Sequence, residues 1–180
     1  MWKDFTSPMN HMLQGIAYWM AYKEEVITFD LIEADIVNEA ASILSARLSN
    51  YYVKREVNYS IIDSSLKKQF ADLGIFSRMD NSCKCIIEFK LGDNVGYRYD
   101  VQKVHELKRK QNDITCLVVM AFRKNCTNKV PEQYVTEEGT ARKGVIKSIP
   151  GTRVKVRRVC KAPASKDVSK MKKMVCLEVL

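Results

Sequence analysis

Phe70-Ala71-Asp72-Leu73-Gly74-Ile75-Phe76 and Cys83-Lys84-Cys85-Ile86-Ile87-Glu88-Phe89-Lys90-Leu91 decide the fold. Both are apolar runs of strand length, and Ser77 to Ser82, with Asp80-Asn81 inside it, reads as a hairpin turn between them. If the turn centres near Asp80, residues whose numbers sum to about 160 lie opposite one another, and Asp72 faces Glu88. Strand alternation puts Lys84, Ile86, Glu88 and Lys90 on one face and Cys85, Ile87, Phe89 and Leu91 on the other. Asp72, Glu88 and Lys90 therefore share a face across the ladder. Asp80 is assigned to the turn.

Outward from this hairpin, Tyr51 to Ile62 is rich in Tyr, Val and Ile and reads as a preceding strand. Before it, a helix is expected from Asp30 to about Leu48, with Asp30 as N-cap and Glu33 completing a capping box. Ile32, Ile36, Val37, Ala40, Ile43, Leu44 and Leu48 form its apolar face. Glu33 falls near the middle of that face and Glu39 at its edge. A carboxylate there needs a cation or metal as partner, and for Glu33 helix capping explains the acid equally well. Residues 9–25 read as another helix, started by Ser7-Pro8 and carrying Met9, Met12, Leu13, Ile16, Trp19 and Met20. Its methionines and tryptophan read as core or as the interface of a homodimer.

Downstream, residues 100–112 read as a helix with a stripe of Val101, Val104, Leu107 and Lys108, and 113–123 as a strand buried on both faces. Strand, helix, strand makes a crossover with parallel pairing. Residues 124–151 read mostly as loop. In 152–160, Arg153, Lys155 and Arg157 alternate with Val154 and Val156, giving a strand with one basic face. Residues 161–173 read as a polar connection and 174–180 as a last strand.

The 180 residues, 46% hydrophobic and 28% charged, predict one folded α/β domain over 1–180, with a core of about 30–122 and a basic extension of about 123–180. No apolar run reaches membrane-spanning length and no signal peptide is evident, so no membrane partner is expected. Six cysteines without a CxxC pair, and two histidines, argue against structural zinc and for free thiols in a reducing, cytoplasmic setting. The net charge is +9, and Arg123 to Lys173 holds fifteen basic and four acidic residues. Such a basic segment on a near-neutral core suggests a polyanionic partner, nucleic acid above all. Arg153, Lys155 and Arg157 are the expected phosphate contacts.

Two carboxylates on adjacent strands suit Mg²⁺, which takes oxygen ligands and retains waters. Asp72 and Glu88 are the candidate metal ligands, with the Phe89 carbonyl as a third oxygen and Lys90 to stabilise charge building on phosphorus. The order of helix with an acid, strand, strand with Asp72, Glu88-x-Lys90 strand, helix and buried strand resembles the PD-(D/E)XK nuclease superfamily over roughly residues 30–122. The resemblance implies a restriction-endonuclease-like mixed sheet with an α-β-β-β-α-β core. It also implies an endonuclease that cuts DNA, less often RNA, with Mg²⁺ or Mn²⁺. By the same resemblance Glu33 or Glu39 supplies an acid to the metal site, and Gln102 lies near the phosphate as a further catalytic residue. Ala71 stands where a proline often precedes the Asp, and Glu106 where some branches carry a tyrosine. A non-catalytic nucleic-acid-binding module of the same fold, with Asp72, Glu88 and Lys90 in a structural ion pair, is the alternative.

Overall fold

The computed structural model describes residues 2–26, 31–67, 69–91, 96–122, 146–149, 152–162 and 172–180. Among the described residues, three helices and seven strands follow in the order α1 (Trp2–Val26), α2 (Glu33–Arg47), β1 (Tyr51–Asn58), β2 (Phe70–Ser77), β3 (Cys83–Leu91), α3 (Gly96–Lys110), β4 (Thr115–Phe122), β5 (Ile146–Ile149), β6 (Thr152–Ala162) and β7 (Lys172–Val179). A single turn of 3₁₀ helix, Tyr59–Ile61, follows β1. The strands make one mixed sheet, ordered β1-β2-β3-β4-β7-β6-β5. Its one parallel pair among those described is β3 with β4, the two strands joined through α3. No helix among the described residues is long and apolar enough to cross a membrane.

The expected hairpin register holds: Leu73 pairs with Ile87 and Gly74 with Ile86, which puts Asp72 level with Glu88. Asp80 shapes the turn, accepting bonds from the backbone and hydroxyl of Ser82. Packing separates the sheet's two faces. Leu73, Ile75, Cys85, Ile87, Phe89, Leu117, Val119 and Cys176 meet α1 and α2 on one side. Ile86, Cys116, Val118, Met120, Val175 and Leu177 meet Val101, Val104 and Leu107 of α3 on the other. β4 is buried along its whole length, as its unbroken apolar run requires.

Two helix starts are corrected, and the α1 methionines, expected in the core or at an interface, are placed in the core. Helix α1 begins well before Ser7-Pro8, because the apolar stripe extends back to Phe5, which is buried and packs edge-on against Tyr51 at 5.3 Å. Pro8 removes one backbone donor early in the helix, and the packing outweighs that loss. Met9, Met12 and Met20 are fully buried within the chain, so these methionines fill the core and are not free to build a dimer interface. Helix α2 starts at Glu33, and it is Asp35 whose carboxylate accepts from Ile32 N at 3.0 Å. The capping role expected of Glu33 belongs to Asp35, while Asp30 lies outside the described residues. So do residues 92–94, most of the loop 124–151, and most of the connection 161–173; within the loop, 146–149 form β5. β7 pairs with β4, so the basic C-terminal strands continue the same sheet.

β1 and β2 share a paired irregularity. Arg55 reaches Asn38 of α2 on one face of the sheet, yet Val57, two residues on, packs on the α3 face. Leu73 lies on the α2 face and Ala71 on the α3 face. Both strands change faces between these residues, at Glu56 and Asp72. Glu56 adopts φ 51°, a left-handed conformation that is uncommon for a side-chain-bearing residue and is found where surrounding structure holds it.

Candidate active site

Glu88 stands on the α3 face of the sheet and is 3% exposed. Its Oε1 accepts from the Tyr59 hydroxyl at 2.7 Å and lies 2.8 Å from Lys103 Nζ. Tyr59 is brought there by the 3₁₀ turn at the end of β1, and Lys103 by the second turn of α3. Burial lifts the Glu88 carboxyl to about 7, and the negative charge of Asp72 adds to the rise, against the pull of Lys103 and Tyr59. The Tyr59 hydroxyl is pushed far up by burial and by Glu88, so it stays protonated and keeps its proton for Glu88.

Asp72, at the point where β2 changes faces, accepts from Phe89 N at 2.6 Å. Its pKa is raised, first by burial and then by Glu33 and Asp100, with the Phe89 N–H and Lys103 opposing. Glu33, the first residue of α2, accepts from Leu91 N at 3.1 Å, so the helix start is tied to the end of β3. Glu33, not Glu39, therefore supplies the α2 acid at this site; Glu39 lies six residues further along the helix, about 9 Å by helical rise.

Lys90 joins these elements, with Nζ 3.5 Å from Glu33 Oε2 and 3.3 Å from Asp100 Oδ2. Burial works against its charge, but Asp100 and Glu33 outweigh burial and raise its pKa, so it is an ammonium at neutral pH. Asp100 Oδ2 is buried, and the Lys90 ammonium is its partner among the described residues. Among the described residues the cluster holds four carboxylates (Glu33, Asp72, Glu88, Asp100) against two ammoniums (Lys90, Lys103). With every carboxyl ionised, two negative charges are left in excess. A cleft of about 680 Å³ opens beside it, lined by Glu33, Asn38, Arg55, Glu56 and Asp72 among others.

The structure thus gathers Asp72, Glu88, Lys90 and Glu33. Phe89 lies between them, its N–H engaged by Asp72 and its side chain in the core. Gln102 is exposed, and its neighbour Lys103 is the α3 residue that reaches Glu88. The basic strand face does not join this site. The row Glu88–Val118–Leu177–Val156 crosses the sheet on the α3 face. The row Leu117–Glu178–Lys155 belongs to the α1 and α2 face. Arg153, Lys155 and Arg157 therefore lie three strands away, roughly 14 Å, and behind the sheet, with Arg157 ion-paired to Glu178.

Tyr59, Asp100 and Lys103 were missed from sequence. A signal existed for Asp100: at helical spacing it falls within the stripe of Val101, Val104 and Leu107, where an acid needs a partner. Tyr59 carried none, since it read as one more strand aromatic.

No three acid, histidine or cysteine side chains among the described residues converge on one point to hold a metal by themselves. The donor chemistry nonetheless suits a hard cation: Asp72 and Glu88 each engage one carboxylate oxygen with a protein donor, and the other oxygen of each has no hydrogen bond to a described residue. Compared with protein-family models, with curated proteins and with solved structures, the chain shows no match in any of the three, and the reading of the site rests on its own residues.

Proposed function

We propose that this chain is a divalent-metal-dependent endonuclease that hydrolyses phosphodiester bonds of DNA, on a restriction-endonuclease-like sheet. The observation that carries the reading is the cluster at the adjoining ends of β2 and β3: Asp72 and Glu88 level across the ladder, Lys90 one strand step on, and two negative charges in excess. The connectivity supports it as well, since α2-β1-β2-β3-α3-β4 follows the expected α-β-β-β-α-β order with β3 and β4 parallel. Mg²⁺ or Mn²⁺, held by Asp72, Glu88 and the Phe89 carbonyl with waters completing the shell, would polarise the phosphate and activate a bound water. Glu33 holds Lys90 and the end of β3 in place, and Lys90 presents its ammonium to the charge that builds on phosphorus.

The test is a cleavage panel over linear duplex, four-way junction, single-stranded DNA and RNA with Mg²⁺ or Mn²⁺. Cutting should vanish in chelator and in Asp72→Ala and Lys90→Ala proteins that keep wild-type circular dichroism. Undiminished cutting by both variants overturns the site assignment.

One observation favours a second reading, a non-catalytic nucleic-acid-binding module: Glu88 already has an internal cation, Lys103, and a hydroxyl donor. That module binds nucleic acid without metal and loses affinity steeply with salt. Metal-free, salt-sensitive binding with no cleavage of any substrate in the panel selects it.

A further inference from the structure

Lys103 is placed as a divalent cation would be. Its Nζ lies 2.8 Å from Glu88 Oε1, 2.9 Å from the Phe70 carbonyl oxygen and 3.8 Å from Asp100 Oδ1. These oxygens come from three elements, and the side chain is only 15% exposed. An ammonium offered a carboxylate, a carbonyl and a second carboxylate is meeting the ligand types that a hard metal ion takes. The Lys103 ammonium also lies 5.9 Å from the centre of the Tyr59 ring, whose hydroxyl binds the same Glu88 oxygen, so the charge sits against Glu88 and its partner.

We infer that Lys103 is a resident counter-cation, which neutralises Glu88 in the metal-free protein and competes with a divalent cation for it. This rests on the metal-dependent reading above. Without Lys103, and with every carboxyl ionised, the excess negative charge around Asp72 and Glu88 would grow from two to three, a strong repulsion among partly buried groups. With Lys103 present, loading a divalent cation must overcome an ammonium already at Glu88. When the cation binds, Lys103 retains the Phe70 carbonyl and Asp100 as partners on its own side, so its withdrawal leaves no ammonium stranded. The metal is thereby held weakly enough to exchange, and the metal-free site does not fly apart.

The experiment is Mn²⁺ binding by calorimetry, and by electron paramagnetic resonance of the free ion, at pH 8 without nucleic acid. Lys103→Gln should bind Mn²⁺ roughly tenfold more tightly than wild type, within the usual range of coupling between sites. Lys103→Arg, which keeps the charge, should stay close to wild type. Unchanged or weaker binding by Lys103→Gln overturns the inference and leaves the metal-dependent reading standing. Absence of Mn²⁺ binding by wild type and both variants overturns the two together. If Lys103→Gln does not fold, wild type alone decides. Acylation of Lys103 by an amine-reactive ester, read by mass spectrometry against exposed Lys67, should rise severalfold on Mn²⁺ addition, and unchanged labelling overturns the inference.

Discussion

Two ion pairs lie in neighbouring rows of the same sheet, and the charge around them differs in sign. At the β6–β7 end, Arg157 meets Glu178, and Lys155 stands opposite the same acid across the ladder. At the β2–β3 end, Glu88 meets Lys103 inside a set of four carboxylates and two ammoniums. Both pairs are largely withdrawn from water, so both carry a desolvation penalty. At Glu178 the paired arginine offsets that penalty. The acidic set leaves Asp100 Oδ2 buried with only the Lys90 ammonium to answer it among the described residues, and Glu88 close to protonation at neutral pH. Burial alone does not mark a site; burial with a surplus of one sign does.

The largest expected effect tests the chemistry at the acidic end. Lys90→Ala should reduce cleavage of a DNA substrate by about a hundredfold or more, measured as single-turnover rate at saturating Mg²⁺. A loss smaller than that would make Lys90 a structural partner of Glu33 and Asp100, and the two ends of the sheet would then be alike.

The second effect is on stability against pH. Glu88 rises from 4.5 to about 7 on folding, so the native state binds a proton that the unfolded state has released across that window. Its contribution is fully present below pH 4.5 and is lost as pH climbs through about 7. Metal-free wild type should therefore lose on the order of 3 kcal/mol between those limits relative to Glu88→Gln. Urea unfolding of both proteins at the two pH values measures this. Parallel stability curves would mean that Glu88 is as well compensated as Glu178.

The β6–β7 end should respond less. Glu178→Gln keeps the shape and a hydrogen-bonding oxygen for Arg157, and should cost about 1 kcal/mol by denaturant midpoint. A loss several times larger would place stranded charge there too. The smallest effect belongs to exposed Arg153. Arg153→Ala should lower the slope of log affinity against log salt by at most about one, with the cleavage rate at saturating substrate unchanged. A drop in that rate would bring the basic face into the active site, against its position behind the sheet.

Much of the fold was legible. The β2–β3 register followed from turn position and alternation because a one-residue slip would turn every apolar side chain of the hairpin to the wrong face. β3 was bounded correctly at both ends, and β4 showed itself as an unbroken apolar run. Helix starts were less legible. Pro8 looked like a beginning and lies inside α1, and Glu33 looked like part of a cap that Asp35 supplies. Local signals of that kind are weaker than the packing of Phe5 or the pull of the Leu91 N–H on Glu33.

By itself the sequence determined which faces are apolar, that Asp72 stands level with Glu88, and that Lys90 shares the side of Glu88. Those are matters of strand period, which is local. Only the tertiary structure decided what answers the charges. Tyr59 reaches Glu88 because β1 ends in a tight turn, and Lys103 reaches it because the β3–β4 crossover lays α3 over that face. It also decided that Arg153 and Lys155 stand behind the sheet, since their face is fixed by pairing with β7 and, through it, with β4. Electrostatic partners come from residues far apart in the chain, and no local periodicity encodes which of them will meet.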